Sequence, residues 1–250
     1  MIITISQNAS ELGAAAARLA GARLREAIGL SGEARLVLST GRSQFETLKA
    51  LLKEDVDWPK TEIFHLDEYI GLPVTHKASF RKYLKDRFVD LIECRKFHRL
   101  DTEGDIATLI AGLTAEIRKK PVDVGLIGIG ENGHIAFNDP PADFATREAF
   151  IVVTLDERCK RQQVGEGWFN SVDEVPEKAV SMTVWQIMQC RTIVSAVPHR
   201  VKAEAVYKTL TSGLSNMVPA TMLKQHPDFN LFLDPNSASR VVSFSISQDG

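Results

Sequence analysis

The segment VDVGLIGIG, residues 122–130, most constrains how this 250-residue chain can fold. A continuous apolar run of this kind is typical of a strand buried on both faces of a sheet. Comparable runs are MIITI, RLVLS, EIFHLD, FIVVTL, AVSMTV, TIVSAV and NLFLD. Because helical patterns of about 10–15 residues separate many of these runs, the sequence predicts an α/β fold with a doubly wound, mostly parallel sheet flanked by helices.

The helical segments carry recognisable start and stop signals. ASELGAAAARLAGARLREAIGLSG has apolar residues at three-to-four spacing, with Asn8 or Ser10 as the N-cap and an end near Gly29 to Gly32. Further helices are predicted at FETLKALLKE, SFRKYLKDRFVDLI, DIATLIAGLTAEIRKK, KAEAVYKTLTSG and PATMLKQH. Since no repeat, low-complexity stretch or linker interrupts this pattern, we expect one domain over residues 1–250.

Composition restricts the binding partners and the cellular location that we expect for this protein. A net charge of −2 and a pI near 6.3 leave no electrostatic footprint for nucleic acid. No apolar run approaches the ~18 residues that a membrane span needs, and the N-terminus lacks the pattern of a secretory signal. Cys94, Cys159 and Cys190 are far apart and show no C-x-x-C spacing. We therefore expect a cytoplasmic protein without nucleic-acid or membrane partners.

The segment GIGENGHIAFNDPP, residues 128–141, begins with the G-x-G-x-x-G pattern of dinucleotide-binding loops. Such a loop requires a helix directly after the glycines, whose N-terminus holds the pyrophosphate. Pro140 and Pro141 are incompatible with that helix, because each removes a backbone donor and clashes with the preceding turn. Asp156, some twenty residues further on, therefore gives a false match to the ribose-binding acid of such a site.

The same glycines are better explained as a turn that delivers His134. Glycine tolerates positive φ and lets a ligand approach the backbone closely. A histidine with an unperturbed pKa of about 6.5 exchanges protons near neutral pH. Asn132 and Asp139 lie close enough in sequence to orient its ring, and Asn138 adds another polar group. We predict a catalytic His134, with a purely structural histidine as the alternative.

The segment HLDEYIGLP, residues 65–73, places Asp67 and Glu68 at the end of an apolar strand. Ligands of doubly wound sheets bind beyond the carboxyl ends of the strands. A carboxylate that is partly desolvated there can act as a general base, although solvated turn residues are the alternative. His65 and Asp67 could begin a metal site, but no third ligand follows at a suitable spacing. We therefore expect no metal.

Two further loops are candidates for binding an anion. STGRSQ, residues 39–44, offers backbone amides at a helix start and the hydroxyls of Ser39, Thr40 and Ser43, although an ordinary helix cap is the alternative. Arg200 and Lys202 open a helix after TIVSAV, where cations oppose the helix dipole unless an anion pairs with them. Lys202 is therefore a candidate phosphate ligand, with an exposed lysine as the alternative.

LDEYIGL together with GIGENGHIAFNDP resembles the glucosamine-6-phosphate deaminase (isomerase) family, and the likeness runs in order along nearly the whole chain. The resemblance implies a modified doubly wound, Rossmann-like enzyme with no organic cofactor, and it leaves a homo-oligomer open. Such an enzyme converts glucosamine-6-phosphate and water to fructose-6-phosphate and ammonia. By this likeness Asp67 moves a proton between C2 and C1, and His134 opens the sugar ring with support from Asn132 and Asp139.

The chain departs from the family pattern mainly around the phosphate. Asn132 replaces an acid, which keeps a hydrogen-bonding group but removes a charge, and Asp139 replaces the longer glutamate. The catalytic loops change less than the phosphate-binding segments. The family's T-G-G-T-P loop is here Thr40, Gly41, Arg42, Ser43 and Gln44, and Gln163 stands near the position of a phosphate-binding arginine. Arg42, Arg158 and Arg161 are candidate replacements for that arginine. The reaction type is therefore better defined than the amino sugar phosphate on which it acts.

Two other functions compete with this interpretation. A related lactonase, 6-phosphogluconolactonase, typically follows its G-H with a run like T-A-S-L-F, whereas this chain has IAFN. A non-catalytic sugar-phosphate sensor of the repressor type carries an added DNA-binding unit of about 60 residues, for which the chain has no room. Such a sensor has no need for both Asp67 and His134.

Overall fold

The computed structural model describes residues 1–241, which form ten strands and seven α-helices around a central parallel sheet. The strands are β1 (Ile2–Ile5), β2 (Ala34–Leu38), β3 (Thr61–His65), β4 (Asp67–Tyr69), β5 (Lys96–His98), β6 (Val124–Leu126), β7 (Phe150–Thr154), β8 (Lys178–Met182), β9 (Thr192–Val197) and β10 (Phe229–Leu233). The helices are α1 (Ala9–Ser31), α2 (Phe45–Leu51), α3 (Phe80–Arg87), α4 (Ile106–Ile117), α5 (Glu157–Gly165), α6 (Val184–Ile187) and α7 (Ala203–Thr211).

The main sheet has the strand order β1-β10-β9-β6-β2-β3-β5, and every neighbouring pair is parallel. From β2 the chain moves outward through β3 to β5, then returns to β6 on the other side of β2. The direction of winding therefore reverses between β2 and β6. The loops that leave the carboxyl ends of strands diverge at such a reversal and open a crevice. The predicted doubly wound, mostly parallel fold is confirmed.

Alternating side chains of the sheet contribute to two hydrophobic clusters, one on each face. Leu36 and Ile63 pack in the cluster formed with α1, α2 and α3. Their neighbours Val37 and Phe64 point the other way, into the cluster that includes residues of α4 and α7. Burial on both faces explains why these strands are continuously apolar in sequence.

A second, antiparallel sheet of order β4-β8-β7 departs from the sequence prediction. FIVVTL and AVSMTV were expected in the main sheet, but they form β7 and β8. EIFHLD was expected to be one strand, yet β3 ends at His65 and Asp67 begins β4, opposite Ser181. β7 alternates between more and less buried residues, with Val152 exposed, as is usual for an antiparallel sheet that faces water on one side.

The first helix follows its sequence signals closely. The Asn8 side chain accepts a hydrogen bond from the Glu11 amide at 2.9 Å, and Gly32 ends the helix with φ of 77°. Other helical predictions hold less well. The segment SFRKYLKDRFVDLI is α-helical only to Arg87, because Phe88 leaves the helical region with φ of −147°, and a 3-10 turn follows over Val89–Leu91. PATMLKQH forms a 3-10 helix over Pro219–Gln225.

Helix α5 was not predicted as a helix. Asp156 is its N-cap and accepts a hydrogen bond from the Cys159 amide at 2.6 Å. The acid that imitated a ribose ligand in sequence therefore has a local structural role. Within residues 1–241, no helix has both the length and the apolar character needed to cross a membrane.

We expect the contact between α1 and α2 to depend on the lack of a side chain at Gly13. A Cβ atom there would lie 2.7 Å from the backbone carbon of Glu46, closer than such atoms can approach. Gly13→Ala should lower the free energy of unfolding by about 1–3 kcal/mol, measured by urea denaturation. Gly29→Ala in the same helix is the matched control, since no atom lies within 4 Å of its Cβ position. Equal stabilisation by both substitutions would contradict this account.

Candidate active site

A cleft opens beyond the carboxyl ends of β2, β3, β6 and β9, where the winding of the sheet reverses. Ligands of doubly wound sheets bind at such a reversal. Seven of the residues predicted to catalyse or to bind the substrate line it together: Ser39, Thr40, Gly41, Ser43, Asp67, His134 and Lys202. The cleft is called the inner cleft below.

Asp67 presents a buried carboxyl group to the inner cleft. Its Oδ1 atom makes no hydrogen bond with any of residues 1–241. Burial, and then the neighbouring charge of Glu68, raise the pKa of Asp67 well above its usual range. When it ionises, this carboxylate is therefore a stronger base than one in water, as proton abstraction from carbon requires.

The adjacent Glu68 has the opposite environment. Its carboxylate accepts hydrogen bonds from the Ser79 hydroxyl at 3.0 Å and from the backbone amides of Phe80 and Arg81 at 3.2 and 2.7 Å. The Arg81 guanidinium lies 3.3 Å from the same carboxylate. Burial raises the pKa of Glu68, and these backbone hydrogen bonds oppose the rise. Glu68 thus anchors the start of α3, while Asp67 remains available to a ligand.

The loop after β6 is folded around His134 and is not the start of a helix. The amide of Gly130 donates to the carbonyl of His134 at 2.9 Å, and Gly133 has φ of 86°. A Cβ atom on Gly130 would lie 2.2 Å from the Nε2 atom of the His134 ring. Between residues 130 and 150 the described chain contains no helix, so the dinucleotide interpretation is excluded as the prolines predicted.

Asn132 and Asp139 lie behind His134 and do not line the inner cleft. The Nδ1 atom of His134 is 3.0 Å from Asp139 Oδ1, in direct electrostatic contact. Asn132 accepts from the His134 amide and donates to Asp139, both at 3.0 Å. Burial alone would raise the pKa of Asp139, but His134 and then Asn132 lower it below its usual value. An ionised Asp139 favours the tautomer with a proton on Nδ1, which leaves Nε2 to accept protons.

Asn138 ties this loop to the second sheet. Its side-chain amide donates to the carbonyl oxygens of Ile135 at 2.8 Å and Met182 at 2.9 Å. It is buried, so these bonds satisfy a group that would otherwise be costly to remove from water. Asn138 is therefore a structural residue that fixes the position of the His134 loop against β8.

The far end of the inner cleft has the properties of an anion site. The ammonium group of Lys202 is buried, with 6% of the residue exposed, and no carboxylate among residues 1–241 forms an ion pair with it. Burial lowers the pKa of Lys202, while Glu166 and Glu131 act in the opposite direction. The Ser39 hydroxyl is buried nearby without a hydrogen-bond partner among the same residues. An unpaired buried cation beside free donors is stabilised by an anionic ligand.

Arg42, Arg158 and Arg161 line a second cleft next to the inner one, called the outer cleft. The guanidinium carbon of Arg42 lies 6.0 Å from the ring centre of Trp168, and all three arginines are exposed. The structure therefore does not bring the proposed replacement arginines to the inner cleft. Gln163 does line that cleft.

Glu166 also lines the inner cleft, although no motif in the sequence points to it. Its two carboxylate oxygens accept hydrogen bonds from Gln162 Nε2 at 2.8 Å and from Trp168 Nε1 at 3.0 Å. A single glutamate in a segment without an assigned structure gives no signal in sequence. Only the helical course of α5 brings this carboxylate to the cleft.

Comparison with known proteins identifies the family. Residues 7–231 match the sequence model of the glucosamine-6-phosphate isomerases/6-phosphogluconolactonase family. A glucosamine-6-phosphate deaminase of Thermoanaerobacter pseudethanolicus is 32% identical, covering 96% of this chain and 95% of the relative. Glucosamine-6-phosphate deaminase 1 of Bacillus subtilis is also 32% identical, covering 93% and 96%.

Two solved structures extend the comparison. A monomeric glucosamine-6-phosphate deaminase superposes with a TM-score of 0.86 at 30% identity, covering 96% of this chain and 99% of that one. The 6-phosphogluconolactonase of Trypanosoma brucei superposes with a TM-score of 0.79 at 16% identity over 96% and 98%, which shows a shared fold alone. With nine-tenths of its residues matched, the chain belongs to the glucosamine-6-phosphate isomerase/6-phosphogluconolactonase family.

Proposed function

We propose that the protein converts glucosamine-6-phosphate and water to fructose-6-phosphate and ammonia. One observation carries this proposal: the inner cleft is lined at once by the buried carboxyl of Asp67, by His134 and by the unpaired ammonium of Lys202. These groups supply a base for a C–H bond, a proton carrier for oxygen and a partner for a phosphate. The relatives named as glucosamine-6-phosphate deaminases support the same reaction.

His134 acts first, in opening the sugar ring. Nε2 takes the proton of the C1 hydroxyl and returns a proton to the ring oxygen, so that the C1–O bond of the ring breaks and an aldehyde forms. Asp139 stabilises the transient imidazolium, because its carboxylate lies 3.0 Å from Nδ1. Asn132 holds both groups through its two hydrogen bonds. Asn132 and Asp139 are therefore positioning residues.

Asp67 then moves the proton from C2 to C1. Its carboxylate removes the C2 proton while the C1 oxygen gains one, giving an enolamine, and the proton is returned to C1 to give an iminium at C2. Water adds to C2 and ammonia leaves, which yields the ketose. The raised pKa of Asp67 suits both halves of this transfer, because the group must accept a proton from carbon and give it back.

The substrate phosphate would lie between Lys202 and the loop of Ser39, Thr40, Gly41 and Ser43. The loop supplies hydroxyls and backbone amides at the start of a helix, and Lys202 supplies the charge. Gln163 contributes no charge, and the three arginines of the outer cleft are too exposed to replace a buried guanidinium. We infer that phosphate affinity depends on Lys202 more than on any arginine.

We also propose that residues 1–250 act as one domain in a reducing cytoplasm, without nucleic-acid partners. The free thiols of Cys94, Cys159 and Cys190 support this location. The structural relative described as monomeric favours a site that is complete within one chain. The lactonase-like hydrolase is the alternative activity.

A substrate panel tests the proposed reaction. Purified protein should release ammonia from glucosamine-6-phosphate, with far less from galactosamine-6-phosphate or unphosphorylated glucosamine. Hydrolysis of 6-phosphogluconolactone should be absent. Ammonia from a different amino sugar would overturn the substrate assignment and leave the mechanism intact, whereas lactone hydrolysis without ammonia would overturn both.

Asp67→Asn should abolish turnover and leave substrate binding within a few-fold of wild type. The amide keeps the shape of the side chain but cannot accept the C2 proton. Turnover is measured by ammonia release, and binding by isothermal titration with glucosamine-6-phosphate. Asp86→Asn, an exposed acid on α3, is the matched control and should retain full activity. Undiminished turnover in Asp67→Asn is incompatible with the mechanism.

The same substitution should stabilise the fold at neutral pH. Because the pKa of Asp67 is higher in the folded protein than in the unfolded chain, the folded state holds this proton more tightly and loses stability as pH rises. Asp67→Asn removes the ionisable group and with it this loss of stability at pH 7. The melting temperature of the variant should therefore exceed that of wild type, by about 2–4 °C for each kcal/mol gained in the free energy of unfolding. The gain should shrink towards pH 4, as followed by circular dichroism. A gain that does not depend on pH would contradict this explanation.

Lys202→Met should weaken binding of the phosphate. Loss of one charge-assisted hydrogen bond of about 1.5–3 kcal/mol corresponds to a rise in KM of roughly 10–150-fold. Inhibition by inorganic phosphate should weaken in parallel. Lys208→Met, an exposed lysine of α7 paired with Glu204 at 3.2 Å, is the control. Unchanged KM and phosphate inhibition in Lys202→Met would exclude the proposed anion site.

A further inference from the structure

A third side chain, Cys159, lies behind His134 and Asp139, and the proposed reaction makes no use of it. It comes from α5, and only 1% of the residue is exposed. Its sulfur, a ring nitrogen of His134 and a carboxylate oxygen of Asp139 all lie within 4.8 Å of one another. A thiol, an imidazole and a carboxylate therefore converge on one buried point.

This combination of ligands is one that Zn²⁺ accepts. Two ligand atoms held by the same tetrahedral Zn²⁺ at the usual bond lengths are separated by roughly 3.3–3.7 Å. His134 Nδ1 and Asp139 Oδ1 are 3.0 Å apart, and the Cys159 sulfur lies within 4.8 Å of Asp139 and of a ring nitrogen of His134. Binding of Zn²⁺ would therefore require these three side chains to rotate until their ligand atoms reach the tetrahedral spacing.

The unmet hydrogen-bonding capacity of the cluster is an independent observation. Oδ2 of Asp139 is buried and makes no hydrogen bond of ordinary geometry with any of residues 1–241. Nδ1 of His134 faces the other oxygen of the same carboxylate at 3.0 Å, so both groups are directed into the cluster. Buried polar atoms of this kind are costly unless a ligand satisfies them.

We propose that His134, Asp139 and Cys159 form a binding site for a thiophilic divalent cation such as Zn²⁺, and that the bound cation inhibits the enzyme. The inhibition rests on the proposed function, whereas the binding does not. On binding, the Cys159 thiol gives its proton to solvent and a sulfur–metal bond forms. Nδ1 donates its lone pair, Asp139 donates an oxygen, and a fourth position remains for water.

Inhibition follows from the two nitrogens of the imidazole ring. A cation on Nδ1 fixes the proton on Nε2, the atom that must accept a proton during ring opening. The cation also withdraws Asp139 from its role beside the imidazolium. Mg²⁺ and Ca²⁺ prefer six or more oxygen ligands, so a site with one sulfur and one nitrogen should discriminate against them.

Spectroscopy with Co²⁺, used in place of Zn²⁺, tests the site directly. Metal-free protein should bind one Co²⁺ and develop a near-ultraviolet thiolate-to-cobalt charge-transfer band, which Zn²⁺ abolishes by displacement. Cys159→Ser should lose this band and bind Zn²⁺ at least ~10-fold more weakly in competition with a chromophoric chelator. Cys94→Ser, at a half-buried thiol outside the cluster, is the matched control and should behave as wild type.

A second variant shows whether the loss of the band in Cys159→Ser reflects loss of a metal ligand or a failure to fold. Asp139→Asn keeps the side-chain volume and the sulfur, so it should retain the charge-transfer band while binding Zn²⁺ more weakly. Equal Zn²⁺ affinity in wild type, Cys159→Ser and Asp139→Asn would overturn the site, as would loss of the band in Cys94→Ser.

The inhibition is measured separately from binding. One equivalent of Zn²⁺ should abolish ammonia release by wild type, a chelator should restore it, and Mg²⁺ at the same concentration should have no effect. Each variant is compared with its own metal-free rate. Stoichiometric binding at Cys159 without loss of turnover would refute the inhibition but leave the site. An enzyme that fails to release ammonia in the absence of metal would instead contradict the proposed function.

Discussion

The buried carboxylate of Glu68 is the interaction on which the active-site geometry depends. It receives hydrogen bonds from a hydroxyl, from backbone amides at the start of α3 and from a guanidinium, and it has almost no contact with water. Removing a charge from water is costly unless every lone pair finds a donor, and here they do. This group fixes the strand β4 to the start of α3, together with the packing of Tyr69 against Phe80. Asp67, one residue earlier, is thereby held at the cleft without donors of its own.

Two neighbouring carboxylates thus have opposite roles, and their environments alone distinguish them. In sequence, Asp67 and Glu68 are equivalent: both are acids at the end of an apolar run. Side chains alternate across a strand, so adjacent residues of β4 face different surroundings. One faces the amides of α3, and the other faces the cleft. The pattern predicts that one acid is exposed to a ligand, but the identity of that acid depends on tertiary contacts that come from residues 79–81.

Local signals in the sequence were sufficient for the main sheet and for the position of His134. A strand buried on both faces is continuously apolar, so the main sheet can be predicted from short runs of residues. Two prolines exclude a helix after Gly130, so the loop that carries His134 can also be predicted from neighbouring residues. The second sheet was not predicted, because β7 and β8 flank a helix and imitate a parallel unit. Lys202 was named as a candidate, but its burial depends on packing. Cys159 lies in α5 and Glu166 is its C-cap, and neither was identified because the segment that begins at the capping acid Asp156 had been assigned no structure.

The contact between Gly130 and the His134 ring bears on how glycine-rich patterns are interpreted. In a dinucleotide loop, the second glycine keeps the backbone bare so that a pyrophosphate can approach it. Here the same letter is required because the protein's own imidazole lies against that backbone. The same G-x-G-x-x-G spacing can therefore have two unrelated steric causes. One is the close approach of a bound cofactor, and the other is the close approach of a side chain four residues later. The distinguishing information lies downstream of the glycines, in whether the chain continues as a helix or turns back on itself.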